Sequence, residues 1–457
     1  MSTVESWAQQ QWNTVELGDK RRTERAVRLG AQIAACPDQS LPKQAHAWGE
    51  LKAAYRLLHQ EAVTHKALSL PHWRATCRCA QQADGPVLFV QDGSQLDFTF
   101  RDADGLGRIG NNEGSGLLMH SVLAVQPGQP ATVLGLAHQL VWVRDGQAYK
   151  PRESRADRSH RADRESSHWL AALEATGPVP ANACWVSVGD RESDIFDYLD
   201  KARALGWHCL LRVAQDRCIV RDDGTKDRLR HWSAQLPVQA DETLTLRTRP
   251  DRRARAVKLL LAWGHVSIMA LQNGPDYSKR APLSAWVLRV WEATPPAGER
   301  PLEWLLLSTL PITTADQAYE RVNWYRNRWI IEQYHKALKT GCRMEESQLQ
   351  HGAALTRLLG FLSIGAVRLL QVETLARSVP ALPAARVVDH ELLTFLCLLR
   401  KRDPASMTVK EFWREVAKFG GFLARKHDGE PGWQTLWKGW NHLYPRFEGY
   451  LLGKRCG

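Results

Sequence analysis

At 457 residues and 44% apolar content, the chain exceeds the size at which one core keeps growing, so two or three structural units with ample core material are expected. A formal charge of +12, from 61 Lys and Arg against 49 Asp and Glu, favours a polyanion such as nucleic acid without demanding one. Nine scattered cysteines argue against a disulfide framework, Cys77-Arg-Cys79 is too tight for a zinc site, MSTVESWAQQQW lacks a signal peptide's apolar core, and no uninterrupted apolar run reaches the roughly 18 residues of a membrane span. A cytoplasmic chain with reduced thiols and no membrane partner is the expectation.

Residues 1–70 read as helical. ELGDKRRTERAVRLGAQIAA has a basic beginning and an apolar spacing through Ala26, Leu29, Ile33 and Ala34. Its cations Lys20, Arg21, Arg22 and Arg25 fit either a solvated helix face or a small DNA-binding unit. From Pro86 the pattern turns to strands: VLFVQD, ending at Asp92, then LLMHSVLAVQ after a glycine-rich turn region, then ATVLGLAHQLVWV, as three neighbouring antiparallel strands would read. The charged, then amphipathic segment from Arg152 to Ala175 reads as a helix leading into NACWVSVGD, a buried strand ending at Asp190.

DIFDYLDKARALG reads as a helix and WHCLLRVAQDR as the next strand. Residues 219–300, with ETLTLRTR, AVKLLLAW and SAWVLRVWEA, read as an inserted β subdomain, and EWLLLSTL as one more strand. ADQAYERVNWYRNRWIIEQYHKALKTG opens a helical region, followed by the long apolar HGAALTRLLGFLSIGAVRLLQVETLARS, a break at PALPAARV, two or three helices, and a tail whose Trp433, Trp437 and Trp440 fit helix packing or a partner surface.

Asp92 and Asp190 each end a strand-like run. Asp is common there because it starts turns, yet two such carboxylates on adjacent strands can also converge on divalent cations. At about 100 degrees per residue, Tyr325, Arg328, Glu332, Lys336 and Lys339 fall within an arc of roughly 80 degrees. Ile330, Ile331, Tyr334, Ala337 and Leu338 take the opposite, core-facing side. Glu332 is then either one member of a chain of surface ion pairs or a metal ligand flanked by phosphate-holding cations. Three carboxylates without a Cys or His cluster suit Mg²⁺ or Mn²⁺, and two such ions could activate a nucleophile and stabilise a leaving 3′ oxygen in phosphodiester hydrolysis or strand transfer.

The spacing Tyr325, Arg328, Glu332, Lys339 resembles the signature of the bacterial cut-and-paste DDE transposases of the insertion-sequence-four group, in the branch of the kanamycin-resistance composite transposon five. VQDGSQLDF around Asp92 and VGDRESDIFDYL around Asp190 resemble that family's first two catalytic blocks. ELGDKRRTERAVRLGAQ and FGGFLARKHDGEPGWQTLWKGWNHL resemble its ends, with Glu24 inside KRRTER as a departure in the recognition region. The resemblance implies an α/β, overall α+β, chain with a ribonuclease H-like core over 71–375 carrying the β insertion at 219–300, a DNA-end-binding domain at 1–70 and a dimerisation domain at 376–457. It implies Asp92, Asp190 and Glu332 as the metal-binding catalytic triad, and Arg328, Lys336 and Lys339 as phosphate contacts. It further implies Tyr325 near the terminal phosphate, Trp304 against a flipped base, and Arg212 in the DNA-end pocket.

The implied activity is nicking at inverted repeats of double-stranded DNA, hairpin formation, hairpin opening and joining to target DNA, by a homodimer in a synaptic complex within a bacterial cytoplasm. A DNA-binding derivative without catalysis and a nuclease without strand transfer are the alternatives.

Overall fold

The computed structural model describes residues 4–45, 47–110, 113–144, 165–246, 254–270, 280–296, 298–299, 301–378, 380–425 and 428–456. The charged stretch 152–164 and the end of ETLTLRTR lie outside them. In chain order, helices α1 (Val4–Trp12), α2 (Lys20–Ala35), α3 (Leu41–Gln44), α4 (Trp48–Leu58) and α5 (His65–Gln82) come first. Strands β1 (Pro86–Asp97), β2 (Gly107–Ile109), β3 (Gly114–Gln126) and β4 (Thr132–Trp142) follow, then α6 (Glu165–Thr176), β5 (Cys184–Gly189), α7 (Phe196–Ala204) and β6 (His208–Arg212). Next are β7 (Cys218–Val220), β8 (Lys226–Arg228), α8 (Leu229–Ala234), β9 (Ala240–Leu246), β10 (Arg255–Ile268), β11 (Leu283–Glu292) and β12 (Glu303–Ser308). Helices α9 (Ala315–Arg326), α10 (Trp329–Lys336), α11 (Gly352–Ser378), α12 (His390–Arg400), α13 (Val409–Phe419) and α14 (Trp433–Cys456) close the chain. The whole is mixed α/β.

The chain divides into two units, one of residues 1–80, 93–152 and 330–457, the other of residues 81–92 and 153–329. In the second unit, β1, β5 and β6 are parallel neighbours. Val87 to Val90 and Trp185 to Val188 are buried, as strands covered on both faces must be, which is why they read as continuous apolar runs. β12 pairs antiparallel with β6, and β11 and β10 extend the sheet from it. β9 and β7 flank β10, and β8 pairs with β7. The β-rich stretch therefore leaves after β6, returns through β12 and continues the same sheet.

In the first unit, α2 buries Ala26, Val27, Leu29, Gly30, Ile33 and Ala34, which contains the apolar stripe read from sequence. Gly30 is required there, because a Cβ would lie 2.3 Å from the Trp12 indole. β3 and β4 pair antiparallel, and β2 pairs with β3. The glycine-rich segment read as a turn thus contains a short strand, and its small residues leave room for that pairing. A 20-residue window of α11, Gly352–Gln371, is apolar enough to cross a membrane, but 83% of it is buried in the protein and it serves as a core helix. Trp12 packs on its Phe361 at 5.3 Å, and Gln371 Nε2 donates to Leu134 O on β4 at 3.0 Å. Trp433, Trp437 and Trp440 are buried, and Trp440 packs on Trp413 of α13 at 5.8 Å.

The helix opened by ADQAYERV is not continuous. α9 starts at Thr314, whose side chain caps Gln317 N, and ends at Arg326. Asn327 and Arg328 form a tight turn in which Arg328 N donates to Tyr325 O at 3.0 Å. α10 then runs for eight residues before Ala337–Gly341 widens into a π-turn, closed by Cys342 N to Ala337 O at 2.8 Å. The uniform rotation assumed for Tyr325 to Lys339 is therefore interrupted at both ends of α10. Burial of Ile331, Tyr334, Ala337 and Leu338 nevertheless matches the expected inner face, whereas Ile330, expected with them, is only half-buried beside the turn.

Candidate active site

The register of β1 against β5 matches Pro86 with Cys184 and Val90 with Val188, an offset of 98. Carried two residues further, it sets Asp92 beside Asp190. The two carboxylates thus stand at one level on adjacent parallel strands whose backbones lie about 4.8 Å apart, Asp190 just past the end of β5 and Asp92 within β1, which runs on to Asp97 rather than ending at Asp92 as the sequence suggests. Beneath them, Gln91 Nε2 donates to Ser187 Oγ at 2.8 Å and to the Tyr198 phenol at 2.6 Å, so both strands are fixed there by a buried polar lock. Asp190 also caps the turn that follows, its Oδ1 accepting from Glu192 N at 2.8 Å.

Asp194, four residues on, escaped the sequence reading and has a different role. Its carboxylate accepts from Ala214 N and Gln215 N, each at 2.7 Å, and from Arg217 Nε at 3.0 Å and Nη2 at 2.7 Å. The side chains of this pair are 2% and 3% exposed. The loop after Asp190 is thereby tied to the segment after Arg212, which holds both candidate residues in one frame.

Arg212 ends β6 and donates to Glu303 O at 3.1 Å. Burial lowers its pKa from the usual arginine value; Tyr325 opposes that shift, while Arg191 and Arg328 add to it. Tyr325 is buried, and its ring meets Trp304 edge-on at 5.7 Å. Burial raises the Tyr325 phenol, while Arg328 and Arg212 pull it down and Asp190 pushes it up. Arg328 Nη1 lies 3.5 Å from Asp92 Oδ2. The structure thus brings Asp92, Asp190, Arg212, Trp304, Tyr325 and Arg328 into one neighbourhood. Beside it, a cavity of ≈ 130 Å³ is lined by Arg191, Arg212, Arg230 and Arg289 with Glu303. Arg191 was the legible one of the missed cations, since it follows Asp190 directly; Arg230 and Arg289 come from distant segments.

Glu332, Lys336 and Lys339 belong to the first unit. Glu332 is half-buried, Lys336 is exposed, and Lys339 Nζ lies 3.6 Å from Glu345 Oε1, which also accepts from Asp97 N at 3.0 Å. Among the N-terminal cations, Lys20 and Arg21 side chains are 90% exposed. Arg22 instead donates to Leu17 O at 3.0 Å and Arg25 is paired with Glu50, so those two hold α2 against its surroundings.

Among the described residues, no group of three or more His, Cys, Asp or Glu is gathered to hold a metal by itself. The hard oxygen donors of Asp92 and Asp190 fit Mg²⁺ or Mn²⁺, which take one or two carboxylates and complete their shells with water and substrate phosphate. Three family models match the chain. Transposase DNA-binding covers residues 4–63, Transposase DDE domain covers residues 170–366, and Transposase Tn5 dimerisation domain covers residues 364–453.

Proposed function

Because the chain belongs to the Tn5-like DDE transposases of the insertion-sequence-four group, with their ribonuclease H-like core, DNA-binding and dimerisation domains, we propose that Asp92, Asp190 and Glu332 form its catalytic triad in cut-and-paste transposition. The observation that carries this reading is the shared register level of Asp92 and Asp190, with Arg328, Arg212, Tyr325 and Trp304 packed around them. Enzymes with this domain use divalent metal; Mg²⁺ or Mn²⁺, two ions per site, held by the three carboxylates, would supply Lewis-acid stabilisation of the reacting oxygens.

The protein's own groups orient the DNA. Arg212 and Arg328 clamp phosphates next to the scissile bond, and Lys336 and Lys339 add positive charge from the following helix. Tyr325 borders the terminal phosphate, and the Trp304 ring supports a base extruded from the stack, which otherwise loses its stacking partners. Water attacks the phosphodiester at the transposon end. The freed 3′ hydroxyl attacks the opposite strand to close a hairpin, a second water opens it, and the 3′ ends join target DNA. Two copies of the chain hold two inverted-repeat ends in a synaptic complex, with residues 1–70 recognising DNA, 71–375 forming the catalytic core and 376–457 joining the copies.

The test uses DNA with the inverted repeats that flank the coding region. Asp92→Asn, Asp190→Asn and Glu332→Gln are each expected to abolish nicking in Mg²⁺ while leaving end binding intact. Near-full cleavage by any of them refutes that residue's assignment. Nicking with no hairpin on a matched end favours a nuclease that does not join.

A further inference from the structure

Glu332 sits on a short helix, interrupted at both ends. α10 has eight residues, entered by the tight turn at Asn327–Arg328 and left through the π-turn at Ala337–Gly341. Its inner face, Ile331 and Tyr334, is fully buried, but apolar contact alone is non-directional. A directional contact on that face comes from the Tyr334 phenol, which accepts from Gln139 Nε2 at 3.1 Å.

Gln139, on β4, is 2% exposed and its amide is saturated. Its Oε1 is bonded by His65 Nε2 at 2.9 Å and accepts from Ser363 Oγ at 2.7 Å, and its Nε2 also donates to Ser121 Oγ at 3.0 Å. These are the two acceptor and two donor positions a primary amide possesses. The bond from His65 fixes that ring as the Nε2–H tautomer, since an amide oxygen only accepts. Burial keeps the imidazole neutral by lowering its pKa to about 4, and raises that of the Tyr334 phenol, whose further hydrogen bonds with Ser363 and Ser121 partly oppose the shift. Groups from β3, β4 and α11 therefore converge on one hydroxyl of α10, and His65 of α5 holds the Gln139 amide behind it.

Two residues along a helix turn the side chain by about 200 degrees, so anchoring Tyr334 inward sets the outward direction of Glu332. We propose that Gln139 is a positioning residue for Glu332, its amide locking the Tyr334 hydroxyl and with it the rotation of α10. This rests on the reading of Glu332 as a catalytic carboxylate. A buried network in which every member is satisfied specifies one orientation, whereas an apolar contact tolerates several.

The test compares Tyr334→Phe, Gln139→Leu, the double variant, Glu332→Gln and Val133→Ala, a core truncation on the same strand that removes no hydrogen bond. Single-turnover nicking is measured together with Mn²⁺ binding to the protein–DNA complex by electron paramagnetic resonance. Tyr334→Phe is expected to fold and bind DNA ends normally. It is expected to nick about 10- to 100-fold more slowly, the scale of an ångström-sized misplacement, and to need several-fold more Mn²⁺ for half-saturation. The double variant should lose no more than Gln139→Leu alone, and Val133→Ala should keep the wild-type rate and Mn²⁺ midpoint. Wild-type nicking and Mn²⁺ binding by folded Tyr334→Phe overturns the positioning role, as does an equal loss in Val133→Ala. In either case an inactive Glu332→Gln leaves the catalytic reading standing. Full activity of Glu332→Gln overturns both.

Discussion

Removing the charge from Asp194 while keeping its shape tests whether the buried pair with Arg217 holds the loop that carries Asp190. In Asp194→Asn the amide oxygen can still accept from Ala214 N and Gln215 N, but the guanidinium, in a site where both side chains are at most 3% exposed, is left without a counter-charge. Breaking one side of such a pair costs about 3–5 kcal/mol. With a urea dependence of roughly 3 kcal/mol per molar, the unfolding midpoint of this unit should fall by roughly 1 to 1.7 M. The double variant Asp194→Asn/Arg217→Met removes both charges and keeps the two backbone bonds, so it should recover most of the loss. Urea titrations of wild type, both single variants and the double variant, followed by tryptophan fluorescence, give the coupling energy directly. A loss under about 1 kcal/mol in Asp194→Asn, or strict additivity in the double variant, refutes the assigned role.

Trp304→Ala should slow hairpin closure more than the first nick, by about 5- to 150-fold if the ring contributes the 1–3 kcal/mol typical of base stacking; equal slowing of both steps on a time-resolved gel counts against base support. Lys20→Ala and Arg21→Ala should each lower the salt dependence of end binding by about one ion without changing stability, whereas Arg25→Ala should lower the melting temperature through loss of its Glu50 pair. Acid should destabilise the first unit through His65 and His72, both lowered by burial from 6.5 to about 4. The unfolded chain binds these protons first, so stability is complete above pH 6.5 and falls toward pH 4, by roughly 3 kcal/mol for each histidine. A flat melting temperature between those pH values would contradict this.

What the sequence disclosed depended on the range of the interaction involved. VLFVQD and NACWVSVGD were legible as strands because a parallel strand buried on both faces must be apolar throughout; the first charged residue marks the end of β5 at Asp190, but β1 runs past Asp92 to Asp97, where its burial alternates. The Tyr325, Arg328, Glu332, Lys339 spacing was legible as a pattern, and the burial of Ile331 and Tyr334 follows from period alone. The turn at Asn327–Arg328 was not, for no glycine or proline announces it. Nor could the sequence separate Lys20 and Arg21 from Arg22 and Arg25, since the distinction lies with Leu17 O and Glu50. Asp194 finds Arg217 across 23 residues, and Gln139 gathers His65, Ser121, Tyr334 and Ser363 across the chain; no periodicity encodes such pairs.

The electrostatics of the second unit divide its arginines into two kinds. Arg217 and Arg255 are matched to carboxylates, Asp194 for the first and Glu292 with Glu299 for the second, and such matching serves the fold. Arg212 is placed where burial disfavours its charge, Tyr325 supports it, and the neighbouring Arg191 and Arg328 oppose it. On the proposed reading, a polyanion entering between these groups would relieve the repulsion, and the charges that crowd the unbound site would then favour a phosphate backbone. The buried Asp194–Arg217 tie, which fixes the segment following Arg212, would on that reading keep Arg212 oriented toward Asp92 and Asp190 before DNA arrives.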